Sequence, residues 1–157
     1  MTTLLTLGQA LTTNARLFPE RIGARDLDRA MTFRQWNHRA CRLANALLGL
    51  GLAKGDRVAV LAYNCVEWME IYAATAKAGL VMVPVNFRLV GAEVAYIAGD
   101  SGASAMIVQD QLAGVLPQLV DRHDVRVVEQ PGDLRLAYEA QLERLVLRPR
   151  HLSPESR

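Results

Sequence analysis

Cysteine and histidine are scarce in this sequence of 157 residues. Cys41 and Cys65 stand far apart with no second pair, which argues against both a disulfide framework and a zinc knuckle. The three histidines show no ligand-like spacing, so no metal centre is expected. We interpret both cysteines as small packing residues rather than as nucleophiles.

Long apolar runs and a dominant charge are missing as well. No stretch approaches about 18 apolar residues, so no transmembrane helix is expected. The first basic residue is Arg16, after a short apolar opening, which predicts no secretory signal. Basic and acidic residues number 18 and 16, which gives no argument for a nucleic-acid partner. The composition, 51% hydrophobic and 22% charged, is typical of a folded domain, and we expect it in the cytoplasm.

Motifs of nucleophilic and nucleotide chemistry are also absent. Serine occurs four times, never in a G-x-S-x-G elbow, and there is no G-x-x-x-x-G-K-[ST] loop. Residues 49–55 contain three glycines, but they close a predicted helix and lead into a strand. A phosphate-binding loop instead follows a strand and opens a helix, so we interpret this segment as a structural turn.

Helix starts are marked by capping-box patterns. Thr6 with Gln9, and Thr32 with Gln35, have the spacing in which a hydroxyl and an amide side chain satisfy each other's backbone N–H groups. The first helix should end before Pro19, and glycines should end the second. By the same reasoning, Asn64 is predicted to cap a third helix, with Glu67 three residues on. The predicted inner face of that helix comprises Val66, Met69, Tyr72, Ala73 and Ala76.

Apolar runs between the helices predict the strands. A hairpin is expected over residues 22–32, and buried strands are expected at residues 57–62, 80–85, 104–108 and 125–128. Further helices are expected at residues 91–98, 111–120 and 136–146. Alternating strands and helices predict an α/β fold with a mostly parallel sheet flanked by helices.

The segment after the second of these strands is the candidate site. Residues 84–89 lie just past the carboxyl end of a strand, where open α/β sheets place ligands. Asn86 and Arg88 could both reach a ligand there. The alternative is a turn held by Asn86 with Arg88 exposed to solvent.

Several linked segments together give a family resemblance. From about residue 7 to residue 139, the chain resembles the amino-terminal part of the adenylate-forming acyl-CoA synthetases, the AMP-binding ligase superfamily. The matching segments are residues 11–19, 31–50, 54–70, 78–89 and 93–103. The resemblance implies an incomplete amino-terminal subdomain of the AMP-binding fold over residues 1–143. Residues 144–157 are rich in Arg and Pro and lack apolar periodicity, which predicts a disordered tail.

The resemblance also implies a chemistry. The full-length family uses ATP, magnesium and coenzyme A to make an acyl-adenylate and then an acyl-CoA. Its Ser/Thr/Gly-rich phosphate loop has no counterpart here, because no Thr follows Thr75. The catalytic Lys of the family has no counterpart either. We therefore expect no catalytic residue, no metal ligand and no cofactor in this chain alone. Residues 86–89 match the family segment in which an Arg contacts a phosphate of coenzyme A, except that Phe87 replaces Pro. The resemblance thus implies that role for Arg88.

Three functional hypotheses remain open. The chain could be a truncated acyl-CoA ligase that is inactive alone. It could be a non-catalytic α/β module for interaction or regulation, binding for instance a full-length relative. It could also be one half of a split ligase, completed by a separately encoded remainder. We expect residues 144–157 to result from a break in the reading frame near Glu143. The alternative is that they form a native disordered tail.

Overall fold

A computed structural model describes residues 5–115, residue 117 and the strand at residues 126–130. It contains a four-stranded parallel sheet, with helices against it, and a separate two-stranded hairpin. The α/β class predicted from the sequence is confirmed. The elements are α1 (Leu7–Leu17), β1 (Ile22–Arg25), β2 (Ala30–Thr32), α2 (Phe33–Gly49), β3 (Arg57–Leu61), α3 (Glu67–Ala78), β4 (Val81–Val85), α4 (Gly91–Asp100), β5 (Ala103–Gln109), a 3₁₀ helix (Asp110–Val115) and β6 (Arg126–Gln130).

Both capping boxes predicted from the sequence are present. Thr6 Oγ1 accepts the Gln9 N–H at 3.2 Å, and Gln9 Oε1 accepts the Thr6 N–H at 2.8 Å. Thr32 and Gln35 make the same pair of bonds at 3.2 and 2.9 Å. These bonds satisfy N–H groups that a helix start otherwise leaves unpaired, so α1 and α2 begin where the sequence predicts.

Strand β3 lies in the middle of the sheet and is covered on both faces. The strand order is β4-β3-β5-β6, with every neighbouring pair parallel. Val58 and Val60 face the core formed with α1, α2 and α3, while Ala59 and Leu61 face α4. All four are essentially inaccessible, as expected of a strand that is apolar throughout.

Strand β4 differs from the prediction of a buried strand. It lies at the edge of the sheet, with Val81 47% exposed and Pro84 exposed. The Val81 N–H points inward and donates to the Asp56 carbonyl at 2.8 Å. The N–H groups of a strand alternate between its two sides, so the ring nitrogen of Pro84 lies on the open side. Its lack of an N–H therefore removes no hydrogen bond between β3 and β4.

Helix α3 departs furthest from the sequence prediction. Asn64 does not cap it: the N-cap residue is Val66, which makes no side-chain capping bond. The predicted inner face is also wrong in part, because Met69 and Tyr72 are 39% and 42% exposed. The buried side chains of α3 are Glu67, Glu70, Ile71, Ala73, Ala74 and Thr75. Gly79 ends the helix in the left-handed region, at φ 72°, as predicted.

The last predicted elements are only partly described. The segment expected to be a helix over residues 111–120 begins as a 3₁₀ helix (Asp110–Val115). The helix predicted at residues 136–146, the boundary at residue 143 and the tail at residues 144–157 lie outside the described residues and stay predictions. In the ranges that the structure describes, no helix is long and apolar enough to cross a membrane.

Candidate functional site

A groove opens where strands β3 and β4 end. It has a volume of about 570 Å³, and we call it the carboxyl-edge groove. Its lining residues come from the end of β4, the loops that follow the two strands and the first turns of α3: Ala62, Asn64, Cys65, Trp68, Tyr72, Pro84, Val85, Asn86 and Phe87. Open parallel sheets bind ligands at this edge, and residues 84–87 of the segment singled out in the sequence contribute to the lining.

Aromatic rings from three segments shape the groove. The rings of Tyr63 and Phe87 meet edge to face, with centroids 4.9 Å apart. Trp68 and Tyr72 lie one turn apart on α3, with centroids at 6.0 Å. The Trp68 Nε1–H donates to the Tyr63 carbonyl at 2.8 Å, which fixes the indole against the loop after β3. Such rings offer apolar faces for a ligand, and the polar edge of Trp68 stays paired.

The loop after β4 is a turn held by Asn86. Its Oδ1 accepts the Arg88 N–H at 3.0 Å, as an Asx turn does, and its carbonyl accepts the Leu89 N–H at 3.2 Å. Arg88 is exposed, and its guanidinium carbon lies 5.5 Å from the centre of the Phe87 ring. The structure thus places Asn86 in the groove lining and Arg88 beside it, outside the lining residues.

Helix α4 follows this loop without a Ser or Thr cap. Val90 occupies the N-cap position, and its N–H donates to Glu93 Oε2 at 3.1 Å. The Glu93 carboxylate thus makes one half of a capping box, at the end of the helix where a negative charge is favourable, while the Glu93 N–H donates to the Val90 carbonyl at 3.0 Å. The conformation of the loop between β4 and α4 is fixed at both ends by these bonds.

The glycine segment at residues 49–55 is a structural turn. Gly51 and Gly55 have φ angles of 82° and 95°, which favour glycine. The Gly55 N–H donates to the Gly79 carbonyl at 2.9 Å, and the Ala53 N–H donates to Asp56 Oδ2 at 2.8 Å. Two of its amides are thus used within the protein, in agreement with the interpretation that it cradles no phosphate.

An ion-pair cluster behind the groove was not predicted from the sequence. Arg29, in the turn between β1 and β2, makes a bidentate ion pair with the Glu67 carboxylate. Its Nη2 lies 2.9 Å from Oε2, and its Nη1 donates to Oε1. The Glu67 side chain is only 5% exposed. Asp26 completes the cluster, because its Oδ2 lies 3.2 Å from Arg29 Nη2. The spacing of these residues along the chain gives no local signal for the contact.

A second buried carboxylate lies one turn further along α3. Glu70 is 1% exposed, and its Oε1 accepts from Arg39 Nε at 2.5 Å. Its Oε2 has no partner in the described part of the chain. Burial raises the pKa of Glu70 above its ordinary value, and the ion pair with Arg39 only partly offsets this.

Cys41 and Cys65 are free thiols with partial exposure, and the surroundings of Cys65 do not activate it as a nucleophile. Burial, together with a hydrogen bond and charge repulsion from Glu67, raises the pKa of Cys65 to about 12, so the thiol stays protonated at neutral pH. Among the described residues, no three histidine, cysteine, aspartate or glutamate side chains come together in a way that could hold a metal ion.

Comparisons with known proteins find similarity to AMP-binding enzymes. The family model of the AMP-binding enzymes matches residues 11–154. The long-chain-fatty-acid–CoA ligase FadD13 of Mycobacterium tuberculosis is 48% identical over 80 residues, which cover 51% of this chain and 16% of that protein. A feruloyl-CoA synthase of Amycolatopsis is 36% identical over 121 residues, which cover 77% of this chain and 25% of that protein. The chain thus spans a sixth to a quarter of these two relatives.

A solved structure shows where the match falls. The amino-terminal domain of FACL13 from Mycobacterium tuberculosis superimposes with a TM-score of 0.73 at 35% identity, over 83% of this chain and 35% of that one.

The family match also continues past residue 143, to residue 154. The boundary at residue 143 stays a prediction.

Proposed function

Because the chain belongs to the family of AMP-binding enzymes, we propose that it forms the amino-terminal part of an ATP-dependent carboxylic acid–CoA ligase. The observation that carries the proposal is the family match over residues 11–154, which also confirms the resemblance inferred from the residues. In such a ligase, a carboxylate attacks the α-phosphate of ATP and releases pyrophosphate. The thiol of coenzyme A then takes the acyl group from the adenylate and releases AMP.

Arg88 is the residue of this chain that we assign to coenzyme A. Its guanidinium is exposed beside the carboxyl-edge groove and meets no carboxylate among the described residues. The Asn86 turn fixes the backbone of Arg88, and an exposed guanidinium on a fixed backbone suits a phosphate of coenzyme A. One charge-assisted bond contributes about 1.5–3 kcal/mol, which by itself gives binding weaker than millimolar.

We further propose that these 157 residues alone do not form an adenylate. The sequence contains no Ser/Thr/Gly-rich loop to cradle the phosphates of ATP, and loss of even one such donor costs about 10²–10³-fold in rate. ATP, magnesium and coenzyme A then act in a complete ligase, in which the remainder of the enzyme is the partner of this chain. We place that enzyme in the cytoplasm, without a nucleic-acid partner.

A chimeric enzyme tests the proposal directly. Residues 11–115 of this chain would replace the corresponding segment of FadD13, and acyl-CoA formation would be measured. A working chimera is the expected result, because the segment then supplies the same scaffold. In that chimera, Arg88→Ala should raise the KM for coenzyme A while leaving the rate of adenylate formation unchanged. A stably folded chimera that forms no adenylate would contradict the proposal.

The isolated chain provides the complementary assay. Pyrophosphate release would be measured with ATP, magnesium and a panel of fatty and aromatic acids. We expect no release above that of a matched reaction without the protein. Turnover clearly above this control would refute the proposal that the chain is inactive alone.

An interaction or regulatory module is the second candidate function. The observation that favours it is an apolar groove of about 460 Å³ on α4, lined by Leu89, Ala92, Glu93, Tyr96 and Ile97. Tyr96 is 68% exposed there, and the neighbouring Val90 is 63% exposed. Co-purification with a full-length relative that is abolished by Tyr96→Asp would support this function over the first.

A further inference from the structure

The amino end of α3 is capped by a residue far away in the sequence. Val66, its N-cap residue, makes no capping bond with its own side chain. Instead, the Val66 N–H donates at 3.1 Å to Oδ2 of Asp26, 40 positions earlier. A carboxylate at this end of a helix pairs a free N–H and is favoured by the helix dipole. The turn of the hairpin therefore does what the predicted Asn64 cap does not.

A second contact ties the same turn to the first residue of α3. Arg29 bonds both carboxylate oxygens of Glu67, which is buried. A forked guanidinium–carboxylate pair has a defined orientation as well as strength. Together with the Asp26 bond, it holds the start of α3 at two points, one on the backbone and one on a side chain.

The turn itself is rigid enough to serve as a support. Asp26 Oδ1 accepts the N–H groups of Asp28 and Arg29 at 3.1 and 2.8 Å. The Asp26 N–H donates to the Arg29 carbonyl at 2.9 Å. The hydrogen bonds that Asp26 accepts hold its pKa below the usual value, so its carboxylate stays ionised at neutral pH.

The segment held by the turn is also a wall of the carboxyl-edge groove. Asn64, Cys65 and Trp68 line the groove, and they flank the two anchored residues, Val66 and Glu67. We propose that residues 26–29 act as a strut that positions this wall, with Arg29 as the positioning residue. The inference concerns the shape of the groove and stands independently of the ligand proposed for it.

Removal of Arg29 should release the wall. Glu67 would then be an ionised carboxylate buried without a partner, which is costly, and it would turn toward solvent. Because Glu67 opens α3, its movement would carry the loop around Cys65 outward. The remainder of the core, including Cys41 on α2, should stay closed.

The two cysteines make this testable by thiol labelling. The full chain would be treated with dithionitrobenzoate, and each cysteine would be followed by peptide mass spectrometry. In Arg29→Ala, the labelling rate of Cys65 should rise by about tenfold relative to that of Cys41, since a buried carboxylate is left without its partner. The matched control is Arg34→Ala, which removes the exposed pair with Glu20 and should leave the ratio unchanged.

A readout that does not depend on thiol chemistry separates opening from activation of the thiol. Loss or movement of the Glu67 carboxylate would by itself lower the pKa of Cys65, because Glu67 raises it, and would speed labelling without opening the loop. Amide hydrogen exchange at residues 64–68 should therefore be measured as well, and it should accelerate in Arg29→Ala relative to exchange in α2. Faster labelling with unchanged amide exchange would overturn the proposal.

The outcomes separate the strut from a general stabilising role. Parallel acceleration of Cys41 and Cys65 would mean global unfolding and would overturn the proposal, as would an unchanged Cys65 rate. If Arg29→Ala does not fold, Arg29→Lys keeps the charge but loses the fork. It should still raise the ratio of Cys65 to Cys41 labelling, and an unchanged ratio in that variant would equally overturn the proposal.

Discussion

At the scale of single residues, Glu70 is the clearest case of a buried group whose ionisation destabilises the folded protein. It is 1% exposed, Arg39 bonds one of its oxygens, and the other has no partner in the described part of the chain. Its pKa is raised because burial outweighs the ion pair. The folded protein therefore binds a proton more tightly than the unfolded chain does, so stability is lost as the pH rises from about 4.5 through the raised pKa of the folded state.

Glu70→Gln should remove this pH dependence. The free energy of unfolding of the variant, relative to that of the unmodified chain, should increase between pH 4 and pH 8, because Gln carries no charge to desolvate. Arg39→Met should act in the opposite direction and cost about 3–5 kcal/mol at neutral pH, since it leaves the buried carboxylate unpaired. Urea unfolding at a series of pH values measures both. A Glu70→Gln variant that loses stability steadily as the pH rises would contradict this account.

At the scale of elements, α2 packs most extensively against α3. Its apolar stripe enters the main core through Trp36, Ala40, Leu43, Ala44 and Leu47. Leu47 is 1% exposed, whereas the next residue, Leu48, is 42% exposed. Two leucines of equal size thus lie one position apart in very different environments.

Leu47→Ala should destabilise the protein by about 2–5 kcal/mol, the usual cost of a cavity at a buried leucine. Leu48→Ala is the matched control and should change stability by less than about 0.5 kcal/mol. Thermal and urea denaturation would give both values. Equal losses from the two variants would show that α2 is rotated from the orientation described.

The elements also show which features a sequence can reveal. The caps of α1 and α2 could be predicted because both partners of each box lie within three residues. The start of α3 could not, because its acceptor is Asp26 and the partner of Glu67 is Arg29. The buried face of α3 could not be predicted for the same reason. A glutamate on a helix is expected to face solvent, and the arginines that pair with Glu67 and Glu70 are distant in the sequence. The location of the groove depends less on side chains, because the order of the strands determines where the loops at their carboxyl ends meet.

At the scale of the whole molecule, β4 leaves one edge of the sheet unpaired within the described residues. An uncovered strand edge tends to pair with other chains. Here, Pro84 stands on the open side of β4 and offers no N–H to an incoming strand. The edge is therefore blunted near the carboxyl end of the strand.

Pro84→Thr should promote self-association, because it restores an N–H at the edge and adds a residue that favours strands. Gel filtration over a range of concentrations should show larger species for this variant than for the unmodified chain. Val81→Thr, on the same strand, is the control and should leave the elution profile as it is. Identical profiles for all three proteins would mean that this proline does not protect the edge.

The distant cap of α3 also bears on the order in which the chain is synthesised. Asp26 precedes Val66 by 40 positions, which a ribosome takes about 2–8 s to add at about 5–20 residues per second. A hairpin forms in about 1–10 μs, so the turn has ample time to sample its folded form before α3 leaves the ribosome. The capping carboxylate is thus already present when the first turn of α3 emerges. A rearranged gene that encoded α3 ahead of the hairpin would leave that turn without its acceptor until the hairpin had been made.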